Sequence, residues 1–144
     1  MYLDGAGVTS YLPLFKSLNQ WADRKKWVEQ PLFPSYIFCH IPFANRFDAL
    51  KQPGMVRIVG FNNEPMPVLD QEIEAVKLLL TTDFDFAVRD GFVPGDDVRI
   101  ASGLLMGYEG KVLQERGEKY FVIHIATIGK SVLIDSRHVK IERI

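Results

Sequence analysis

Arg24, Lys25 and Lys26 stand consecutively between two tryptophans, Trp21 and Trp27. Cations interleaved with large rings suit single-stranded nucleic acid: charge holds the backbone and a ring stacks on an exposed base. The same run also reads as a solvated loop, ordinary for three cations in a near-neutral chain. A second group, Pro31-Leu32-Phe33-Pro34-Ser35-Tyr36, sets two aromatic rings beside two prolines. Rings on a stiffened backbone make an apolar anchor for a protein partner at low entropic cost. By residue type alone, Phe33 and Tyr36 belong in a core, where most large aromatics lie.

Catalytic and metal chemistry find less support. His40, His124 and His138 are scattered, which argues against a metal site. Cys39 is the single cysteine, so no intramolecular disulfide can form, and in mid-strand it reads as an inert buried thiol. Gly103, Gly107 and Gly110 suit turns; no Lys-Ser/Thr follows them as a phosphate loop requires. The acidic residues show no pairing motif, and there is no nucleophile elbow or Gly-rich cofactor turn. The sequence does not favour an enzyme, and no cofactor is expected.

The chain has 144 residues, enough for one ordinary domain or two small ones. With 47% apolar and 24% charged residues it is globular in character. A net charge of −1 excludes a protein that lives mainly on phosphate contacts. Any basic surface must be local, with further affinity supplied elsewhere. No apolar run reaches membrane-span length, and Met1 to Gly5 does not open a signal peptide. A soluble cytoplasmic protein without a membrane partner is the expectation.

The elements that must position these residues follow from pattern. Val8 to Phe15 is β-branched and aromatic and reads as a short strand, with Pro13 marking an edge. Asn19 to Gln30 reads as a hairpin-like connection. Tyr36 to Ile41 reads as a strand, Asn45 as the cap of a short helix stopping at Pro53-Gly54, and Met55 to Phe61 as another strand. Asp70 reads as the cap of a helix with Ile73, Val76 and Leu80 at helical spacing. This order makes an α+β domain, an antiparallel sheet with helices on one face, over residues 1–80. Residues 81–91 are polar and aperiodic and read as a linker, although Phe84, Phe86 and Val88 could dock part of it. From Phe92 onward five short strands are expected, at Asp97–Ile100, Gly110–Leu113, Tyr120–Ile125, Ser131–Ile134 and Val139–Ile141. A five-stranded barrel over 92–144 is the economical arrangement, because closure removes exposed edges.

Two passages carry a resemblance. Pro31-Leu32-Phe33-Pro34-Ser35-Tyr36-Ile37-Phe38 resembles the strand of the NusG family's amino-terminal domain that reads roughly PLFPGYVFV. The likeness continues through Pro53-Gly54-Met55-Val56-Arg57-Ile58-Val59-Gly60-Phe61 and Glu64-Pro65-Met66-Pro67-Val68. Phe92 to Ile100, with Ser102 to Val112, is similar to the KOW motif that opens the family's carboxy-terminal SH3-like barrel. The stretch from Asn19 to Lys26 looks closest to specialised (UpxY-like) family members that act as antiterminators on surface-polysaccharide operons, or to a generic member of the same lineage. Family members begin with a strand and a long helix before the Tyr-Leu-Pro segment, whereas Tyr11-Leu12-Pro13 lies near the start here. The reading frame is therefore expected to extend upstream of Met1.

The resemblance implies a transcription elongation and antitermination factor. Leu32, Phe33 and Tyr36 would contact the clamp helices of the largest RNA polymerase subunit. Arg24, Lys25 and Lys26 would face DNA at the upstream edge of the bubble. In the barrel, Leu104, Leu105 and Ile128 are candidates for a patch facing Rho or a small-subunit ribosomal protein; barrel core is slightly favoured for Leu104. A ribosome-associated RNA-binding KOW protein is the alternative, and it would need a basic barrel face. Some specialised members hold this domain as a helical hairpin, but the β-branched run Tyr120 to Ile125, with Gly117 and Gly129, predicts a permanent barrel. An isolated Phe92–Ile144 fragment is expected to keep that structure, and the barrel to stay open to partners at all times.

Overall fold

The computed structural model describes residues 9–21, 24–51, 53–61 and 64–144. The chain divides into two compact units, residues 1–58 and 59–144. The expected beginning of the first strand at Val8, and Ala22 and Asp23 of the expected hairpin-like connection, lie outside the described residues.

In the first unit, β1 (Thr9–Tyr11) pairs antiparallel with β4 (Phe38–His40), setting Ser10 opposite Cys39. Between them, β2 (Leu14–Trp21) and β3 (Arg24–Pro31) form a long antiparallel hairpin. Pro13 therefore stands at a break between two strands, as its missing N–H requires. The expected strand from Tyr36 is shorter, because a turn occupies its first residues. The helix expected near Asn45 is a 3-10 helix over Phe43–Lys51. Asn45 does not precede it; its N–H donates to the Pro42 carbonyl at 2.9 Å, inside the first turn.

In the second unit, β5 (Gly60–Phe61) pairs with β6 (Glu64–Pro65). The strand expected over Met55–Phe61 is thus confined to its last two residues. Apolar content gave it β character, but only those two residues have a strand to pair with. Helix α1 (Asp70–Leu79) buries Ala75, Val76 and Leu79. Its N-cap is Leu69, with no side-chain cap; Asp70 is the first helical residue, where it and Glu72 offset the positive helix end. The Thr81 and Thr82 hydroxyls close the other end, each donating at 2.6 Å to the carbonyls of Leu78 and Leu79.

Six strands then make one antiparallel sheet: β7 (Phe86–Asp90), β8 (Asp96–Ser102), β9 (Glu109–Glu115), β10 (Glu118–Ile125), β11 (Lys130–Asp135) and β12 (Lys140–Arg143), in the order β12-β8-β9-β10-β11-β7. Phe121, Val122, Ile123, Val132, Leu133 and Ile134 are all buried, so the neighbouring strands β10 and β11 are covered on both faces. The carboxy-terminal region is strand in the intact chain, joined by tight turns, short connections and two brief 3-10 turns. β7 falls inside the stretch expected as a linker and pairs with β11, placing Val88 opposite Val132.

Asp135 ends β11 and caps the turn that follows. Its carboxylate accepts from the Arg137 backbone N–H at 2.9 Å and from the guanidinium at 3.0 and 2.7 Å. The guanidinium first, and then that backbone N–H, hold the carboxyl at about 2, below its ordinary 3.8. The folded state therefore releases this proton more readily than the unfolded chain. The resulting stabilisation is complete above about pH 4 and is lost as pH falls through about 2. Arg137→Gln should lower the melting temperature near neutrality, and the gap from the parent should close across that acid window. A gap constant down to the acid limit would refute the assignment.

Candidate functional site

The β2–β3 hairpin places the basic run. Its register sets Lys16 opposite Glu29 and Leu18 opposite Trp27. Because side chains alternate across a strand, Lys25, Trp27 and Glu29 share one face with Lys16 and Leu18. All five are exposed, and Trp27 and Leu18 show 64% and 47% of their surface. Arg24 and Lys26 lie on the opposite face, with half-buried Phe15, Ser17, Val28 and Gln30 further along it. The pleat thus splits the three cations: Lys25 stands with the exposed ring, and Arg24 and Lys26 behind it. Leu18 was missed by the sequence reading; its signal was an apolar residue in phase with Trp27 across the turn. The Trp21 side chain lies outside the described residues.

Just past β3, Leu32 donates its N–H to the Pro13 carbonyl at 2.9 Å, and Tyr36 donates to the Phe33 carbonyl at 3.2 Å. Phe33-Pro34-Ser35-Tyr36 is thus a tight turn, with Ser35 at φ 73. This matches a type II turn, with proline second and a positive φ third, where glycine is the favoured residue. Leu32 is buried and Phe33 is 1% exposed, its ring edge-on to Phe38 at 6.0 Å. Tyr36 is half-buried. Of these three residues, Tyr36 is the one with ring surface to offer in this state. Cys39 is half-buried, not fully so, and burial pushes its thiol up, which suppresses thiolate chemistry.

In the second unit, Leu104, Leu105 and Met106 occupy the turn between β8 and β9. Met106 donates to Gly103, and Gly107 to Ile100, through backbone N–H groups at 3.1 and 2.9 Å. Leu105 is 1% exposed and Leu104 is 53% exposed. The slight preference for Leu104 as core is therefore corrected: Leu105 fills the core, and Leu104 is left with Met106 at the surface. Met106 was missed; an apolar residue in a glycine-bounded turn was its signal. Ile128 is half-buried in the 3-10 turn Ala126–Ile128.

One Ser–His pair has a geometry that bears on catalysis. Ser131 is buried, and its hydroxyl donates to the Gly91 carbonyl at 2.8 Å. It therefore accepts from His124 Nδ1–H, 3.0 Å away, and the imidazole is not placed to take the hydroxyl proton. The pair ties β10 and β11 to the start of the sheet. His138 is likewise committed: its Nε2 accepts from the Asp85 N–H at 3.1 Å while its ring stacks on Phe84, centroids 4.7 Å apart. Among the described residues, no three potential ligands converge on a metal site, and no helix is long and apolar enough to cross a membrane.

Comparison with known proteins gives a consistent result. The family described as "Transcription termination factor nusG" matches residues 2–77. The transcription termination/antitermination protein NusG of Streptococcus pyogenes serotype M1 is 30% identical over 102 residues, covering 65% of this chain and 55% of the relative. The protein of the same name from Lactococcus lactis subsp. lactis is 28% identical over 106 residues, covering 67% of this chain and 54% of the relative. The chain spans about half the length of the curated relatives it matches.

Proposed function

The chain belongs to the NusG family, and on that premise we propose that it is a transcription elongation and antitermination factor that binds the RNA polymerase clamp and favours processive synthesis. Proteins of this family are transcription factors and not enzymes. The observation that carries the reading is the family match across residues 2–77, which spans both the exposed hairpin and the Phe33–Tyr36 turn. Residues 1–80 are assigned to polymerase binding, 81–91 to the connection and 92–144 to a KOW barrel of SH3 type. The site is cytoplasmic, where the polymerase is.

Leu32 and Phe33 shape the contact from beneath, and Tyr36 supplies the ring that meets the clamp helices. Lys25 and Trp27 face DNA at the upstream edge of the bubble, with Arg24 and Lys26 on the reverse side of the ribbon. Charge would hold phosphates while the exposed ring stacks on an unpaired base. The factor acts by population shift: it binds the active polymerase better than the paused one. The barrel, through exposed Leu104 and half-buried Ile128, with Leu105 anchoring the turn in the core, tethers Rho or a small-subunit ribosomal protein at raised effective concentration.

The alternative, a ribosome-associated RNA-binding protein, needs a basic barrel face. Against it, cations on the sheet are matched with acids: Arg89 with Glu115 at 2.9 Å, Lys111 with Asp97 at 2.5 Å, and Lys130 with Asp90. Such matching cancels the field that RNA binding requires.

The test is capture of RNA polymerase by the tagged chain from a bacterial extract. Retention of core enzyme is expected; recovery of ribosomal RNA in its place would overturn the reading. On a scaffold carrying an open bubble, Lys25→Glu with Trp27→Ala should weaken binding. Affinity for free core enzyme should stay the same.

A further inference from the structure

We propose that a notch at one end of the six-stranded sheet binds the carboxy terminus of an extended peptide whose last side chain is aliphatic. The strand register makes the notch. β8 begins at Asp96, opposite Val112, whereas β9 runs on through Leu113 and Gln114 to Glu115. Pro94 and Gly95 lead into β8, and Pro94 has no N–H with which to extend the ladder. The β8 side of β9 is therefore left without a strand partner beyond Val112. A cavity of about 560 Å³ opens there, lined from β8, β9, β10 and β12.

Strand alternation decides which side chains share the cavity. Gln114 and Lys119 are direct cross-strand partners, Asp96 is opposite Val112, and Arg143 is opposite Val98. Gln114 is two residues from Val112, and Asp96 two from Val98, so all four polar side chains stand on one face. Beneath them Val98, Val112 and Ile141 make an aliphatic floor.

The charges and the floor select the occupant. Lys119 and Arg143 form no ion pair among the described residues, while Arg89, Lys111 and Lys130 on the same sheet each sit against an acid. Glu115 is paired with Arg89, and alternation puts Glu142 on the opposite face from Arg143. Two cations against the one carboxylate of Asp96 suit a ligand with a single negative charge, and a guanidinium fork matches a carboxylate in shape. The lining has no aromatic ring to stack a base, which argues against a nucleotide; its floor suits an aliphatic side chain. The peptide's own N–H and C=O groups meet the unpaired flank of β9 and the Gln114 carboxamide. Gly95 fixes the wall: a Cβ there would run into the Val112 carbonyl oxygen, so backbone lies on backbone and the notch is formed before a ligand arrives.

The notch lies at the other end of the strands from the partner face. β8 leads at its far end into the Leu104–Met106 turn, and β10 leads into the turn carrying Ile128. A peptide in the notch leaves both uncovered, so the barrel can hold two partners at once.

The test is an NMR titration of the full chain with an acetylated hexapeptide that ends in leucine with a free carboxylate. Backbone amides of residues 95–98, 112–119 and 141–143 should shift, and those of 103–107 and 126–128 should not. A carboxamide twin, and a twin ending in glycine, should each bind at least about tenfold more weakly. Lys119→Gln with Arg143→Gln should weaken the parent peptide by a similar factor; the two twins probe the same charge and floor on the unaltered chain. Equal affinity for carboxylate and carboxamide would show that the charge is not read and would overturn the proposal. So would shifts confined to 103–107 and 126–128, or no saturable shift at low-millimolar peptide. If adenosine monophosphate saturates the same amides more tightly than the peptide does, the notch is a nucleotide site and the peptide assignment fails.

Discussion

Phe33→Ala should destabilise the first unit by about 3–5 kcal/mol, the usual cost of emptying a buried phenylalanine site. The ring is almost wholly buried and meets Phe38 edge-on, so its removal takes away both transfer energy and a packing partner. Pro34 and the positive-φ Ser35 hold the turn behind it, which limits how far the backbone can collapse into the space. The neighbouring substitution should separate stability from binding. Tyr36→Ala removes a half-buried ring and should leave the melting curve nearly unchanged. If its ring meets the clamp, capture of RNA polymerase should fall by roughly tenfold or more, the scale of an interface hot spot. Intact capture by Tyr36→Ala would remove this turn from the interface. A normal melting temperature for Phe33→Ala would contradict its place in the core.

Gly110→Ala should be strongly damaging to the second unit. Gly110 sits in β9 opposite Val98 of β8. An added Cβ would press on the Val122 carbonyl oxygen and come within 2.8 Å of Phe121 Cζ. The first of these is backbone in the central strand and cannot swing aside as a side chain would. Overpacking commonly costs about 1–3 kcal/mol, and this rigid neighbour puts the expected loss at or above the upper end. For a unit of this size that corresponds to a melting temperature lower by at least about 10 °C. Gly103→Ala gives the contrast: the space around it is open, and only its φ of 89 resists a side chain. A loss of about 1 kcal/mol is expected there. Equal melting temperatures for the two variants would show that the strand spacing at Gly110 is not as tight as described.

Some of this arrangement was legible in the sequence. Five strands of the six-stranded sheet announced themselves through β-branched runs between glycines; the structure lengthens the first four and shifts the last from Val139–Ile141 to Lys140–Arg143. The hairpin was legible too, because a polar basic stretch lay between two apolar ones. What failed was whatever depended on partners distant in sequence. Met55 to Phe61 has the composition of a strand, yet Val56 is among the most exposed apolar residues, since pairing reaches only Gly60 and Phe61. The reverse happened at residues 86–90. Their charges suggested a connection, while the alternation of Phe86 and Val88 was the true signal for an added strand. Leu104 and Leu105 are chemically identical neighbours, and only the turn geometry decides which is buried. The split of Arg24, Lys25 and Lys26 between two faces follows from strand alternation once the run is known to be strand and not loop. Phe33 lies inward, as its residue type alone suggests and against the surface contact that the resemblance implies for its ring.

The position of β7 changes what a minimal carboxy-terminal fragment would be. β7 hydrogen-bonds along the flank of β11, the strand that carries Val132, Leu133 and Ile134. A polypeptide beginning at Phe92 would fold without it and leave those N–H and C=O groups without partners along an apolar strand. Such an edge is a template for another chain. The fragment would then be prone to self-association that grows with concentration, β-sheet recruiting β-sheet between molecules. A fragment that starts at Thr81 or earlier brings its own covering strand and should stay monomeric.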